Sequence, residues 1–379
     1  MRSVLDLALD CVTGALVKSA EATGVTLHRA PAAGRTQLDS EAYEFNSSVP
    51  SGVRLEMLTD ATEIELDARL AQVLLQGASP TGSVFDLVVE GELRDPVVAT
   101  EQTLILVEPA TFALHRKPAD PATVRFHLGP APQERRVEIW LPAARSFQLV
   151  DVRVPEGASV RPAPASGPLW VHHGSSISQC AEADRPTGTW PAIVARTAGR
   201  SLLNLALGGE CHLDPFMART IRDLPAEGIS LELGINVLIG DTMRERVFVP
   251  ALHGFLDTIR DGHPDTPIVV ITPITCPAAE TRPGPTLVCD DGTVCTVDRP
   301  AELANGALTL TRIRELLNQH VEQRRKDGDD RLHLIDGTAL FGPEDVANLP
   351  DGLHPNAAGY ADMAERFLPL AFGDTGVLR

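Results

Sequence analysis

Lysine is almost missing from this chain: Lys18, Lys117 and Lys326 are the only three among 33 basic residues, which face 51 acidic ones. The formal charge of −18 repels phosphate backbones and anionic headgroups, so neither nucleic acid nor a membrane surface is expected as a partner. No apolar run approaches the ~20 residues that a membrane-spanning helix requires. The amino-terminal stretch has no basic cluster and is interrupted by Asp6 and Asp10. No secretory signal is therefore expected, and the cytoplasm is the expected location. The six cysteines (11, 180, 211, 276, 289 and 295) form no CxxC pair and no zinc-type cluster with histidine, so no metal site is expected. Cys289 and Cys295 stand close enough for a small loop disulfide, but free thiols are the expectation for a cytoplasmic chain. Aromatic residues make up only 4%, and ahead of residue 166 the sole Trp and Tyr are Trp140 and Tyr43. Carbohydrate-binding surfaces rest on exposed Trp and Tyr platforms, so this composition lends a sugar-binding module no support.

What is present falls into two patterns. A length of 379 residues exceeds the ~250–300 at which single cores stop growing, so two domains are expected. From about Val53 to Pro155 the chain alternates with period two, as in Thr62-Glu63-Ile64-Glu65-Leu66 and Val137-Glu138-Ile139-Trp140-Leu141. Such segments, punctuated by Gly and Pro, predict half-buried antiparallel strands and hence an all-β sandwich of jelly-roll type. Residues 155–168 carry four prolines and two glycines, which suits a linker. Beyond Pro168, near-continuous apolar runs alternate with amphipathic ones, predicting a buried parallel sheet flanked by helices. The expected strands are Leu169–His172, Ser201–Leu207, Ile229–Gly234, Pro267–Ile271 and Leu332–Ile335. The expected helices are Trp190–Gly199, Pro215–Asp223, Val249–Asp261, Ala304–Arg325 and Asn356–Leu370. The domains are therefore placed at 1–165 and 166–379. The stretch from Thr275 to Pro300 is long for a connection and reads equally as a lid or as a surface excursion.

Active sites of open parallel sheets lie outside the carboxyl ends of the strands. Four polar signals fall there in order: Gly174-Ser175-Ser176-Ile177-Ser178, Gly208-Gly209, Gly234-Ile235-Asn236, and Asp351-Gly352-Leu353-His354-Pro355. Each alone is an ordinary turn or helix entry; their conjunction is chemically coherent. A serine hydroxyl becomes nucleophilic when a positioned base takes its proton. An aspartate three residues before a histidine can curl back to Nδ1–H and leave Nε2 for the serine. Backbone N–H groups at Ser176 and Gly209, with the Asn236 amide, are suitable donors for a developing oxyanion. His212 follows the second signal and is a candidate to line the pocket. His172 and His173 have no evident carboxylate partner and read as structural, and Cys180 and Cys211 read as small buried thiols.

The Gly-Ser-Ser turn, the glycine of the second signal, the Gly-x-Asn and the Asp-x-x-His-Pro together resemble the SGNH (GDSL) hydrolase superfamily over roughly Pro168 to Phe372. A jelly-roll domain ahead of the α/β domain also resembles a two-domain subgroup of it. The resemblance implies a three-layer, flavodoxin-like α/β fold, with Ser176 rather than Ser175 or Ser178 as nucleophile. It further implies Gly209 and Asn236 as oxyanion donors, and His354 as a base oriented by Asp351. Two departures stand out: Ser175 replaces the usual Asp, altering the hydrogen bonds within that turn, and Val237 replaces a second Asp found in many members.

The expected activity is serine acyl transfer through an acyl-enzyme with no bound cofactor. The layout is similar to GDSL-type O-acyltransferases that carry an acyl group from an acyl-CoA co-substrate to a hydroxyl of a small polyketide. If water is the acceptor, the same residues make an esterase of small or acetylated carbohydrate esters. A catalytically silent SGNH scaffold serving as a binding protein is the reading from another class. The expected partners are thus an ester or thioester donor and a hydroxyl acceptor or water.

Overall fold

A computed structural model describes residues 1–108, 111 and 113–379. The chain divides into two compact units, with the main crossing between Ala165 and Ser166. Two short segments depart from a single boundary: residues 33–43 cluster with the carboxyl-terminal unit and residues 183–187 with the amino-terminal one. In the first segment, Ser40 Oγ donates to Glu210 Oε1 at 3.3 Å and Tyr43 meets Phe216 edge-on at 5.6 Å. In the second, Thr187 Oγ1 and N–H reach the buried Asp86 carboxylate at 2.6 and 2.9 Å.

The amino-terminal unit is an all-β sandwich. One sheet is built around Glu63–Leu75 and Ser146–Val154, which pair antiparallel; the other is built around Arg54–Thr59, Arg135–Trp140 and Ser83–Val89. Alternation along Glu63–Leu75 sends Ile64, Leu66, Ala68 and Leu70 inward while Glu65 and Asp67 face out. Their core partners include Leu55, Met57, Phe85, Phe126, Val137, Ile139, Phe147 and Leu149. The sheet also recruits Val17–Glu21 and Gly24–His28, ahead of the point where the alternation begins. Val17–Glu21 is an edge strand with no fully buried side chain, so it needs no apolar alternation.

The carboxyl-terminal unit is α/β. Its strands are β1 (Leu169–His173), β2 (Ser201–Asn204), β3 (Gly228–Glu232), β4 (Ile268–Ile271) and β5 (Leu332–Ile335), all parallel. They lie in the order β2-β1-β3-β4-β5, which is the flavodoxin-like order. The helices are α1 (Ser176–Gln179), α2 (Trp190–Ala198), α3 (Pro215–Asp223), α4 (Ile235–Ile239), α5 (Glu245–Gly262), α6 (Leu310–Lys326), α7 (Gly337–Leu340) and α8 (Ala357–Phe372). Trp170, Trp190 and Phe367 pack together, with ring centroids 5.1–6.3 Å apart. The long carboxyl-side helix starts at Leu310 rather than near Ala304, because Thr309 caps it by accepting from Arg312 N–H at 3.1 Å. The second expected strand stops at Asn204, yet Leu205 and Leu207 still donate to the carbonyls of His172 and Gly174 at 2.7 and 2.9 Å.

The expectation of free thiols is corrected at one pair: Cys289 and Cys295 form a disulfide, with Cα atoms 6.0 Å apart. Thr286–Val288 and Val294–Thr296 pair as an antiparallel hairpin, and that pairing holds the two cysteines at bonding distance. Cys11, Cys180, Cys211 and Cys276 remain free and buried. Among the described residues no helix is long and apolar enough to cross a membrane.

Candidate active site

The chain leaves β1 through Gly174, where a Cβ would lie 2.7 Å from Ser178 Oγ and 2.8 Å from Glu232 Oε2; only glycine fits. Ser175 then caps α1, its hydroxyl accepting from Ile177 N–H at 3.2 Å. Ser176 occupies the first helical position, where the backbone N–H has no intrahelical partner. It is the one partly accessible serine of the turn, Ser175 and Ser178 being buried.

Opposite lies the loop before α8. Asp351 Oδ1 accepts from the N–H groups of Leu353 and His354 at 2.9 and 2.7 Å, a tight turn that aims the side chains together. Its Oδ2 then meets His354 Nδ1 at 2.6 Å, and His354 Nε2 stands 2.8 Å from Ser176 Oγ. Burial opposes ionisation of Asp351, but hydrogen bonds from His354 and the charge of its ring hold the carboxyl down at about 2. Burial lowers the basicity of His354, while the Asp351 hydrogen bond and the charges of Glu182 and Asp351 outweigh it and raise the ring above its ordinary 6.5.

The two residues expected to act as donors follow β2 and β3, the strands on either side of β1. Asn236 is buried at the start of α4, and its Oδ1 accepts from Cys211 N–H at 3.1 Å, so the oxygen end of the amide is engaged. Gly209 is left-handed at φ +74 in the turn after β2, a conformation that favours glycine. The preceding Gly208 N–H donates to Gln179 Oε1 at 2.7 Å, so the end of α1 anchors that turn. His212 is half-buried beside Asp214 and Gly240, and among the described residues no hydrogen bond links it to Ser176, His354 or Asp351. His172 bonds Ser230 Oγ at 2.6 Å, and burial pushes it down to about 3, so it stays neutral. His173 Nδ1 lies 2.9 Å from the Leu205 carbonyl. Burial drives the Cys180 and Cys211 thiols well up, away from thiolate reactivity. Among the described residues no His, Cys, Asp or Glu cluster could hold a metal ion.

Three residues of the site were not singled out in the sequence. Glu232, at the end of β3, accepts from Ser175 N–H and Oγ at 2.7 Å each and from Ser178 Oγ at 3.3 Å. A carboxylate from a neighbouring strand thus braces the turn that lacks its usual aspartate. A signal existed: a glutamate inside the apolar run Ile229–Leu233 must find partners when buried. Gln179 and Glu182 carried no comparable signal, since both sit in polar surroundings in the sequence.

The long Thr275–Pro300 stretch is pinned near its carboxyl end. Val294 N–H donates to the Asp351 carbonyl at 2.7 Å, and Arg299 bonds Asp241 and the Gly284 carbonyl. Two helix arginines are likewise engaged, Arg314 of α6 with Glu280 and Arg366 of α8 with Asp345.

A flavodoxin-like sheet carrying a Ser–His–Asp hydrogen-bond chain at its carboxyl edge defines a serine-type α/β enzyme. Residues 173–361 match the GDSL-like Lipase/Acylhydrolase family, and the α/β unit belongs to that family. The chain is accordingly an enzyme of the GDSL hydrolase and acyltransferase class. Among solved structures it is similar to the salicylyl-acyltransferase SsfX3 from a tetracycline biosynthetic pathway, at 29% identity and a TM-score of 0.79 over 96% of this chain and 95% of that one. A GDSL-like lipase from Bacteroides ovatus ATCC 8483 shares the fold at 20% identity and TM-score 0.66, over 96% and 95%. A family two carbohydrate esterase from Cellvibrio japonicus does so at 12% identity and TM-score 0.56, over 97% and 96%. No curated protein sequence matches the chain.

Proposed function

We propose that this chain is a serine O-acyltransferase that moves an acyl group from a thioester donor of the acyl-CoA type to a hydroxyl of a small polyketide-like acceptor. The observation that carries the acyl-transfer chemistry is the continuous chain from Ser176 through His354 to Asp351, at 2.8 and 2.6 Å. Ser176 Oγ attacks the thioester carbonyl as its proton passes to His354 Nε2. The tetrahedral oxyanion is held by the N–H groups of Ser176 and Gly209 and by the Asn236 amide. Its collapse breaks the C–S bond, and the thiol leaves with the proton from His354. The acceptor hydroxyl then attacks the acyl-serine, gives its proton to Nε2, and Ser176 leaves protonated as the ester product forms. Asp351 keeps Nδ1 protonated throughout and balances the transient imidazolium.

Transfer is preferred over hydrolysis because the similarity to a salicylyl-acyltransferase spans 96% of the chain at 29% identity. The test is incubation with acyl-thioesters in the presence and absence of hydroxylated acceptors. Ester product that depends on acceptor is the expected result; free acid alone, unchanged by acceptor, would refute transfer and leave an esterase.

The Asn236 assignment has its own test. Asn236→Ala removes the proposed side-chain donor, and kcat is expected to fall by ~10²–10³ with little change in KM. A KM effect without a kcat effect would mean that the amide binds the ground state and not the oxyanion.

A further inference from the structure

His354 is flanked by more than one carboxylate. Its Nδ1 bonds Asp351 Oδ2 at 2.6 Å, and on the same side Glu182 Oε1 lies 3.9 Å away. Glu182 comes from the loop after α1, three residues beyond Gln179, and its side chain is 34% exposed. What holds it there is Tyr360 in α8. That tyrosine is fully buried, and its hydroxyl donates to Glu182 Oε2 at 2.8 Å. A buried phenol needs a partner for its O–H, and the partner it takes is a carboxylate whose other oxygen faces the imidazole.

We propose that Glu182, held by Tyr360, is a second carboxylate for His354: a positioning residue that supports the imidazolium from beside Asp351. The proposal rests on His354 being the base of the reaction. Glu182 stands too far for a direct hydrogen bond, so it acts through its charge, favouring the protonated ring each time Ser176 or the acceptor gives up its proton. It also stands within a small rotation of Nδ1, and so offers an alternative acceptor when Asp351 is lost. Three further titratable groups of the surrounding elements are held neutral. Tyr360 is held protonated chiefly by burial, as is Cys180, and burial pushes Cys276, whose thiol donates to the Gly352 carbonyl, up to about 11.

The experiment is the pH profile of kcat/KM for the wild type, Glu182→Gln, Tyr360→Phe and Asp351→Asn, and for Asp351→Asn combined with Glu182→Gln. Activity requires neutral His354, so the rate falls as pH drops through the ring's pKa, and the wild-type acid limb is expected above the ordinary histidine value of 6.5. Glu182→Gln removes a partly solvated charge near the ring, and the limb is expected to move down by about half to one pH unit. Tyr360→Phe frees Glu182 and should move it in the same direction by less. In the Asp351→Asn background, loss of Glu182 should cost about tenfold more than it does in the wild type, the sign of two groups serving one ring. A uniform drop in kcat with the limb unmoved and additive losses would make Glu182 merely structural and overturn the proposal. His354→Ala with unchanged turnover would instead overturn the reading of His354 as base. The two failures are therefore distinguishable.

Discussion

Ser176→Ala is expected to abolish labelling by an organophosphonate probe and to lower turnover by about 10⁴–10⁶-fold. The physical ground is that no neighbouring hydroxyl can substitute. Ser175 and Ser178 both spend their hydroxyls on Glu232 Oε2, and both are buried. Ser176 Oγ stands 2.8 Å from His354 Nε2. The substitution removes one atom from a partly accessible position, so the fold and its thermal midpoint should be unchanged. What rate remains would come from the oxyanion donors and from substrate positioning, which act without a nucleophile. Labelling equal to that of the wild type would place the nucleophile elsewhere and refute the serine mechanism.

Asp351→Asn is expected to cost about 10⁴-fold in kcat while leaving the protein folded. An asparagine carbonyl can still accept from the N–H groups of Leu353 and His354, as Asp351 Oδ1 does, so the turn is kept. The amide NH2 then faces His354 Nδ1 in place of Oδ2 and can only donate. Nδ1 must therefore become the unprotonated nitrogen, and the proton moves to Nε2. In that tautomer the ring presents a donor to Ser176 and cannot take its proton. Circular dichroism and the thermal midpoint check the fold, and single-turnover acylation checks the chemistry. Acylation within tenfold of the wild type would mean that His354 is oriented chiefly by another group, Glu182 being the one at hand.

Much of this arrangement was legible from local pattern. The five parallel strands fall where apolar runs placed them because a strand buried on both faces must be apolar along its length. The sandwich strands are legible because one side of each meets water, and Glu63–Leu75 records that in every second residue. The turns bearing Ser176, Asn236 and Asp351 follow strand ends or precede a helix, and their glycines and prolines mark them. What escaped the reading depends on distance along the chain. Glu232 is 57 residues from Ser175, and nothing near either announces that one braces the other. Glu182 and Tyr360 are 178 apart and become partners only when α8 returns past the loop after α1. The Cys289–Cys295 bond was judged from compartment alone, whereas the pairing of Thr286–Val288 with Val294–Thr296 is what holds the two cysteines together.

The sequence by itself determined the two kinds of unit, the direction and order of the chemistry-bearing turns, and the net acidic charge. These follow from periodicity, turn residues and summed charge, which are local or additive properties. Only the tertiary structure decided how the turn without its usual aspartate is held, which carboxylates surround His354, and where the arginines went. Several arginines near the sheet edge are spent on Asp241, Glu280 and Asp345. Those outcomes depend on which side chains meet across strands and loops, and a buried charge takes whatever partner the fold brings within reach, however far away it lies in the chain.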